Sequence, residues 1–294
     1  MILIPQRLFD QAQVTTLLRE GNVCILYKEL TDPVIQREGY LSNHVLSLLL
    51  EGEQLLQTYE DHSIRLRAGE ALFIPRGLYH ITDLVPRTGS FRSLLFYFDD
   101  ALAREFLATT SVAEVRREAL PEFLRLGKEP SLQRLAQNLL DLYRDTILRG
   151  GDLLRLKILE LFHLLHALLP ERDFASFLFR LTLPQKRNLK TFIEQNYTKP
   201  LKVEDFAYLT GRSLSTFRRD FKAFYQSTPQ KWLRDKRLEK ALHILHERDI
   251  SIGELAQTVG YDNVSYFIKA FKSKVGLSPK QYLLSRRGSG FEHH

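Results

Sequence analysis

Gly260-Tyr261-Asp262-Asn263-Val264-Ser265-Tyr266-Phe267-Ile268-Lys269-Ala270-Phe271-Lys272 is the stretch on which the fold turns. A glycine suits a turn that needs positive φ, where a Cβ is resisted. A small polar residue behind it, Asp262, is placed to cap a helix by accepting a backbone N–H bond. In that helix Phe267 and Phe271 stand four residues apart, so both anchor one face in a core. The other face offers Val264, Ser265, Ile268, Lys269 and Lys272. Just upstream, Ile252-Gly253-Glu254-Leu255-Ala256 reads as a short helix whose alanine lets a neighbour approach closely. Helix, glycine turn, helix is the layout of a helix-turn-helix, whose second helix presents its first residues to base edges in the major groove.

The same pattern occurs once more, about 50 residues earlier, and periodicity on that scale redefines a fold. Val203-Glu204-Asp205-Phe206-Ala207 leads to Gly211, Ser213 is placed as the cap, and Ser215-Thr216-Phe217-Arg218-Arg219-Asp220-Phe221-Lys222 follows. The turn of the second copy holds one extra residue. Beyond it Phe217 pairs with Phe267, Arg219 with Lys269, Phe221 with Phe271, Pro229 with Pro279 and Trp232 with Tyr282. The outward face of the first copy carries Ser215, Arg218, Arg219 and Lys222. Arginine can pair bidentately with guanine, whereas Val264 and Ile268 cannot hydrogen-bond and suit contact with thymine methyls. A helix over about 229–247, containing Arg234-Asp235-Lys236-Arg237, joins the copies. Held by it, two recognition helices can enter successive major grooves roughly 34 Å apart.

Charge agrees with this placement. Residues 170–294 hold 23 Lys and Arg against 13 Asp and Glu, while the rest of the 294-residue chain holds 19 against 22. A basic C-terminal part is expected to meet a polyanion.

The first hundred residues read as strands. Val45–Leu50, Ile64–Arg67, Ala71–Pro75 and Phe91–Phe98 are short, apolar and separated by turn residues, which predicts a sandwich or barrel. From about Asp100 the period becomes helical: Leu132-Leu135-Leu139-Leu142-Tyr143, then Leu153-Leu156-Leu159-Phe162-Leu165-Leu169. These leucine stripes leave open core packing or a subunit interface. Pro170-Glu171-Arg172-Asp173 breaks the second helix, and Leu183-Pro184 precedes a new one. The segment 174–183 between is too apolar for a free linker.

Residues from about 186 to 286 resemble the DNA-binding domain of the AraC family of bacterial regulators. The strongest part runs from Ile252 through Gly260-Tyr261-Asp262-Asn263 and Phe271-Lys272 to Gly276-Leu277-Ser278-Pro279-Lys280-Gln281-Tyr282. The resemblance implies two helix-turn-helix subdomains on one bridging helix, and activation through RNA polymerase. It places base contacts on Ser215, Arg218 and Arg219, and on Val264, Ser265, Ile268 and Lys269. The first hundred residues resemble the cupin-like sensor domain of many members. Gly69, Pro75, Gly77 and His80 match its second motif, while only His44 stands in its first. The resemblance implies an effector pocket near His44, Pro75 and His80, or regulation by a protein partner.

A metal needs three or four converging ligands. His44, His80 and Glu51 fall short of a convincing set, so no metal and no cofactor are expected. The pairs His163/His166 and His243/His246 have no supporting carboxylate or cysteine cluster. No phosphate loop, nucleophile elbow or C-x-x-C is present. A lone Cys24 excludes an internal disulfide. No apolar run reaches the length of a membrane span, and the first residues lack a secretion signal, so a cytoplasmic protein with no membrane partner is expected.

The expected architecture is α+β in two domains. Residues 1–100 form a cupin-like β-barrel, 101–183 a helical dimerisation or support region with linker, and 184–287 an all-α domain with two helix-turn-helix motifs. The segment 288–294 reads as an appended tag. The expected function is a non-enzymatic, sequence-specific regulator of transcription, an activator. Its partners are double-stranded DNA, RNA polymerase, a small effector or regulatory protein, and a second copy of itself. The rivals are a cupin-type metalloenzyme with a DNA-binding appendix, and the same regulator held by an anti-activator protein.

Overall fold

The computed structural model describes residues 1–58, 62–110, 122–144, 151–169, 173–183 and 187–288. The chain divides into two compact units, Met1–Leu183 and Pro184–His294. The expected helix break at Pro170-Glu171-Arg172, the proline at 184 and the tail beyond Gly288 lie outside the described residues.

Among the described residues the first unit holds eleven strands: β1 Ile2–Ile4, β2 Val14–Glu20, β3 Val23–Leu30, β4 Val34–Leu41, β5 His44–Glu51, β6 Glu53–Thr58, β7 Ser63–Arg67, β8 Ala71–Ile74, β9 Gly77–Leu84, β10 Phe91–Phe98 and β11 Leu124–Leu126. Its helices are α1 Asp100–Thr109, α2 Pro130–Tyr143, α3 Gly151–Leu168 and α4 Asp173–Leu181. The strands form a five-stranded sheet ordered β1-β4-β9-β6-β7 and a six-stranded sheet ordered β11-β8-β5-β10-β3-β2. The pairings are antiparallel except β1 with β4.

One core lies between the sheets, with Cys24, Leu26, Val45, Leu49 and Tyr97 from one and Leu41, Leu56, Leu66 and Tyr79 from the other. The reverse face of the six-stranded sheet, Ile25, Leu46, Leu48, Phe73, Phe96 and Phe98, packs under α1 to α4. That sheet is buried on both faces. This is why Val45-Leu46-Ser47-Leu48-Leu49 shows almost no polar alternation, as in other sheets covered on both sides. Burial pushes the Cys24 thiol well above its ordinary range, which leaves it an inert core residue.

Two sequence expectations change here. The region after residue 100 is not wholly helical: β11 pairs with β8, Leu124 opposite Phe73, and extends the six-stranded sheet. In α3 the buried face is Leu154, Ile158, Leu161, Phe162 and Leu165, and Leu156 of the expected stripe lies 62% exposed. Eight leucines in one helix support several stripes, and only packing chooses among them. Phe174 and Phe177 on α4 lie against Phe73, with ring centroids 5.5 and 5.4 Å away, so the apolar segment after Pro170 is part of the core.

The second unit is α-helical: α5 Leu189–Asn196, α6 Val203–Leu209, α7 Leu214–Tyr225, α8 Pro229–Glu247, α9 Ile252–Thr258, α10 Val264–Val275 and α11 Pro279–Gly288. Each half has its own core. Phe217, Phe221 and Leu233 are buried in the first, and Leu238, Ala241, Ile244, Leu255, Phe267 and Phe271 in the second. The long helix α8 contributes to both.

Candidate nucleic-acid interface

The two helix-turn-helix units are α6–α7 and α9–α10. Their turns need the left-handed backbone that glycine supplies: Gly211 has φ +67° and Gly260 φ +89°. Ser213 caps α7, its hydroxyl accepting from Thr216 N at 3.2 Å. On α10 the cap is Asn263, whose Oδ1 accepts from Tyr266 N at 2.9 Å, and not Asp262. The extra residue in the second turn moves the cap on by one, so that Asn263 occupies the place of Ser213. The buried aromatic pairs are as spaced: Phe217 and Phe221 at 5.6 Å between centroids, Phe267 and Phe271 at 5.8 Å.

On α7 the side chains of Ser215, Arg218, Arg219 and Lys222 are exposed on the face away from Phe217 and Phe221. Arg219 lies 3.5 Å from Asp220, yet 77% of its side chain is exposed, so that contact is a weak rival to a nucleic-acid partner. On α10, Ser265, Lys269 and Lys272 are exposed, while Val264 and Ile268 are half-buried against the second core. The structure thus gathers each set on one helix face. Tyr266, in the first turn of α10, was not singled out in the sequence; it stands 62% exposed beside Tyr261 at 6.0 Å. The available signal was its position, one residue off the Phe267/Phe271 face.

In the first unit His44 is buried and fully employed. Its Nε2 lies 2.9 Å from Asp100 Oδ1, and its Nδ1 accepts from Arg76 N at 3.0 Å. Burial opposes ionisation of Asp100, but the hydrogen bond from His44 and the charges of Arg104 and Arg76 outweigh it and lower its pKa. His80 sits on β9 between Glu38 and Gln57 of the neighbouring strands. Pro75 gives its carbonyl to the Tyr79 hydroxyl at 2.9 Å.

Between the sheets lies a cavity of about 40 Å³ with one polar wall, and His44, Pro75 and His80 are not among its lining residues. Four of its polar residues are paired with one another. Ser47 Oγ donates to Gln54 Oε1 at 3.0 Å, Gln54 Nε2 to Asp83 Oδ1 at 2.7 Å, and Lys28 Nζ forms an ion pair with the other Asp83 oxygen. Among the described residues no three His, Cys, Asp or Glu side chains converge as a metal site. Three other histidines are engaged in packing or pairing: His163 meets Phe106 at 5.0 Å, His243 meets Glu247 at 3.1 Å, and Tyr282 Oη lies 2.7 Å from His246.

Comparison with known proteins agrees with both units. Residues 206–285 match a family described as a helix-turn-helix domain, and residues 44–177 match the ExsA N-terminal regulatory domain. The chain belongs to the AraC family of transcription regulators. Along most of its length it is similar to curated relatives. It is 29% identical to the HTH-type transcriptional regulator ExsA of Pseudomonas aeruginosa, over 82% of this chain and 85% of that protein. To the virulence regulon transcriptional activator VirF of Yersinia enterocolitica it is also 29% identical, over 82% and 89%. To the thermoregulatory protein LcrF of Yersinia pestis it is 28% identical, again over 82% and 89%. For an AraC-family chain, the double helix-turn-helix of the second unit is the expected DNA-reading part.

Proposed function

We propose that the chain is a cytoplasmic, non-enzymatic activator of transcription. Its second unit reads two half-elements of duplex DNA, and its first unit governs that activity. The observation that carries this reading is the pair of equivalent helices, α7 and α10, each anchored by two buried phenylalanines, capped at its start and basic on its exposed face. Base contacts are assigned to Ser215, Arg218, Arg219, Val264, Ser265, Ile268 and Lys269, and phosphate contacts to Lys222 and Lys272. Activation is supported by the likeness to a relative described as an activator, and RNA polymerase is the partner proposed for it. Dimerisation is assigned to the helices of the first unit, where Leu142 and Leu156 remain exposed.

The first unit's interior favours a protein partner over a small effector. A cavity of about 40 Å³ holds only a few waters, against roughly 150 Å³ for a cavity that takes up benzene. Four polar residues on its wall, Lys28, Ser47, Gln54 and Asp83, are already engaged with one another. Native mass spectrometry of protein purified from its own host tests this: a retained small molecule contradicts the partner reading, and a bare chain mass agrees with it.

Selection of full-length protein on a random duplex library, at two salt concentrations, tests the DNA reading. The expected result is one enriched motif with two half-elements about one helical turn apart, bound more weakly at the higher salt, where each counterion released by a lysine or arginine contact gains less entropy. No enrichment at either salt contradicts sequence-specific reading.

A further inference from the structure

Arg237 lies in the middle of α8, in a run of charges that the sequence alone would place at a solvated surface. Its side chain is instead turned inward and spent on backbone. The Nε donates to Tyr197 O at 2.7 Å, and Nη2 donates to Lys199 O at 2.6 Å and Leu201 O at 3.3 Å. Those three carbonyls belong to the connection between α5 and α6, in the first helix-turn-helix half. The same guanidinium lies 5.9 Å from the ring centroid of Tyr261, in the turn of the second half. Next to it, a Cβ on Gly260 would come within 2.6 Å of Thr198 O and 3.1 Å of Arg237 Nε. Backbone of the first copy, the bridging helix and the turn of the second copy therefore meet around one side chain.

We propose that Arg237 is a positioning residue that fixes the angle between the two recognition helices, and so sets which spacing of half-elements the protein accepts. This rests on the reading of α7 and α10 as the DNA-reading helices. Two cores that share only α8 leave a hinge between the copies, because a single helix constrains their distance better than their relative rotation. A planar guanidinium with five donors in a fixed fork closes that hinge, since its three bonds are satisfied together in one orientation only. Burial opposes the charge on Arg237 and its electrostatic interaction with Asp262 offsets part of that cost; burying a charge is a poor way to add stability, and registry is the best attested use of such a group. The required accuracy is high: with about 10.5 base pairs per turn, one base pair changes the rotation between half-elements by about 34°. Lysine keeps the charge but, as a point donor on a flexible stem, does not hold all three carbonyls at once.

The test needs no DNA. Cysteines placed at Ala223 and Ser273, exposed and equivalent positions on α7 and α10, carry spin labels in the full chain, where the native Cys24 is buried and unlabelled. Electron–electron dipolar spectroscopy then gives the distance distribution between the two helices. Expected is one narrow distribution in the parent, at least a twofold broadening or a displaced maximum in Arg237→Met, and an intermediate width in Arg237→Lys, all with unchanged far-ultraviolet circular dichroism. If Arg237→Met unfolds, Arg237→Lys decides: a broadened distribution upholds the proposal, and the parent's distribution overturns it. Library selection supplies the functional readout. The parent should prefer one spacing over its one-base-pair neighbours by about tenfold, the scale of one mismatched pair, and Arg237→Met should lose most of that preference. An equal loss of affinity at every spacing, with an unchanged distance distribution, would mean that Arg237 only supports the fold. If the parent selects no motif at all, the DNA reading fails, and the distances still judge the clamp.

Discussion

The two helix-turn-helix copies share a frame and differ on the face they present. Behind α7 and α10 the same parts recur at the same places: two phenylalanines, a glycine with positive φ, a polar cap and a proline opening the next helix. In front, α7 shows two arginines, a lysine and serines, all exposed. On α10 two of the five positions, Val264 and Ile268, are half-buried against the core, and an aromatic ring, Tyr266, stands where α7 has Thr216. Repetition is thus strict where the chemistry is packing and loose where it is recognition. On the proposed reading, the first copy would do most of the bidentate base reading, and the second would combine apolar contact with phosphate anchoring.

The largest effects should fall on the shared frame and be equal in the two copies. Phe221→Ala and Phe271→Ala are each expected to lower stability by about 3–5 kcal/mol, the range for truncating a buried phenylalanine. Chemical denaturation followed by circular dichroism measures both. A loss confined to one copy would break the equivalence of the two cores.

The exposed faces should separate them. Arg219→Ala is expected to weaken specific binding by about 1–3 kcal/mol and relax base preference at one position. Lys272→Ala should weaken binding evenly on all sequences and reduce the salt slope by about one. Affinities on the selected duplex and its single-base variants, at several salt concentrations, measure this. Matching behaviour of the two variants would erase the distinction drawn between the copies.

The caps carry the smallest expected effect. Ser213→Ala and Asn263→Ala should each cost about 1 kcal/mol, whereas Asp262→Ala should leave stability close to the parent's. Thermal unfolding of the three variants checks it. A loss for Asp262→Ala comparable to that for Asn263→Ala would place the cap one residue earlier than the structure does.

That last case shows where sequence reading ends. The second unit was legible because its determinants are local. Aromatic spacing, glycine turns and a repeat of about 50 residues can be read from neighbours along the chain, and α8 runs over the residues expected for the bridge. A one-residue insertion was enough to misplace the cap, since Asp262 and Asn263 are equally capable of the role and only backbone geometry distinguishes them. In the first unit the strands containing Val45 to Leu50 and Phe91 to Phe98 were readable as apolar runs. The short strand β11 was not, because Leu124 to Leu126 acquires its conformation from pairing with β8, distant in the chain. The face of α3 was ambiguous for a related reason: eleven of its eighteen positions are apolar, so more than one stripe can be drawn.

The site followed the same division. Helix-face membership of Arg218, Arg219, Lys269 and Lys272 came from spacing. Histidines matched by motif lead elsewhere: His44 ties the first residues of α1 to the strand end at Arg76, and the polar cluster inside the sheets is Ser47, Gln54, Asp83 and Lys28. Those four lie on four different strands, so no local pattern announces them. Arg237 was hidden likewise, a charged residue in a charged run whose partners are backbone carbonyls 36 to 40 positions away.

The central claim is that both copies read DNA, each its own half-element. Its most direct measurement is the affinity of the full-length protein for the selected duplex and for two versions with one or the other half-element scrambled, at a single salt concentration. The account predicts that either scramble costs affinity, with the greater loss for the half-element facing α7. Unchanged affinity after scrambling the half-element assigned to α10 would contradict it, leaving the second copy as part of the fold and not of the reading.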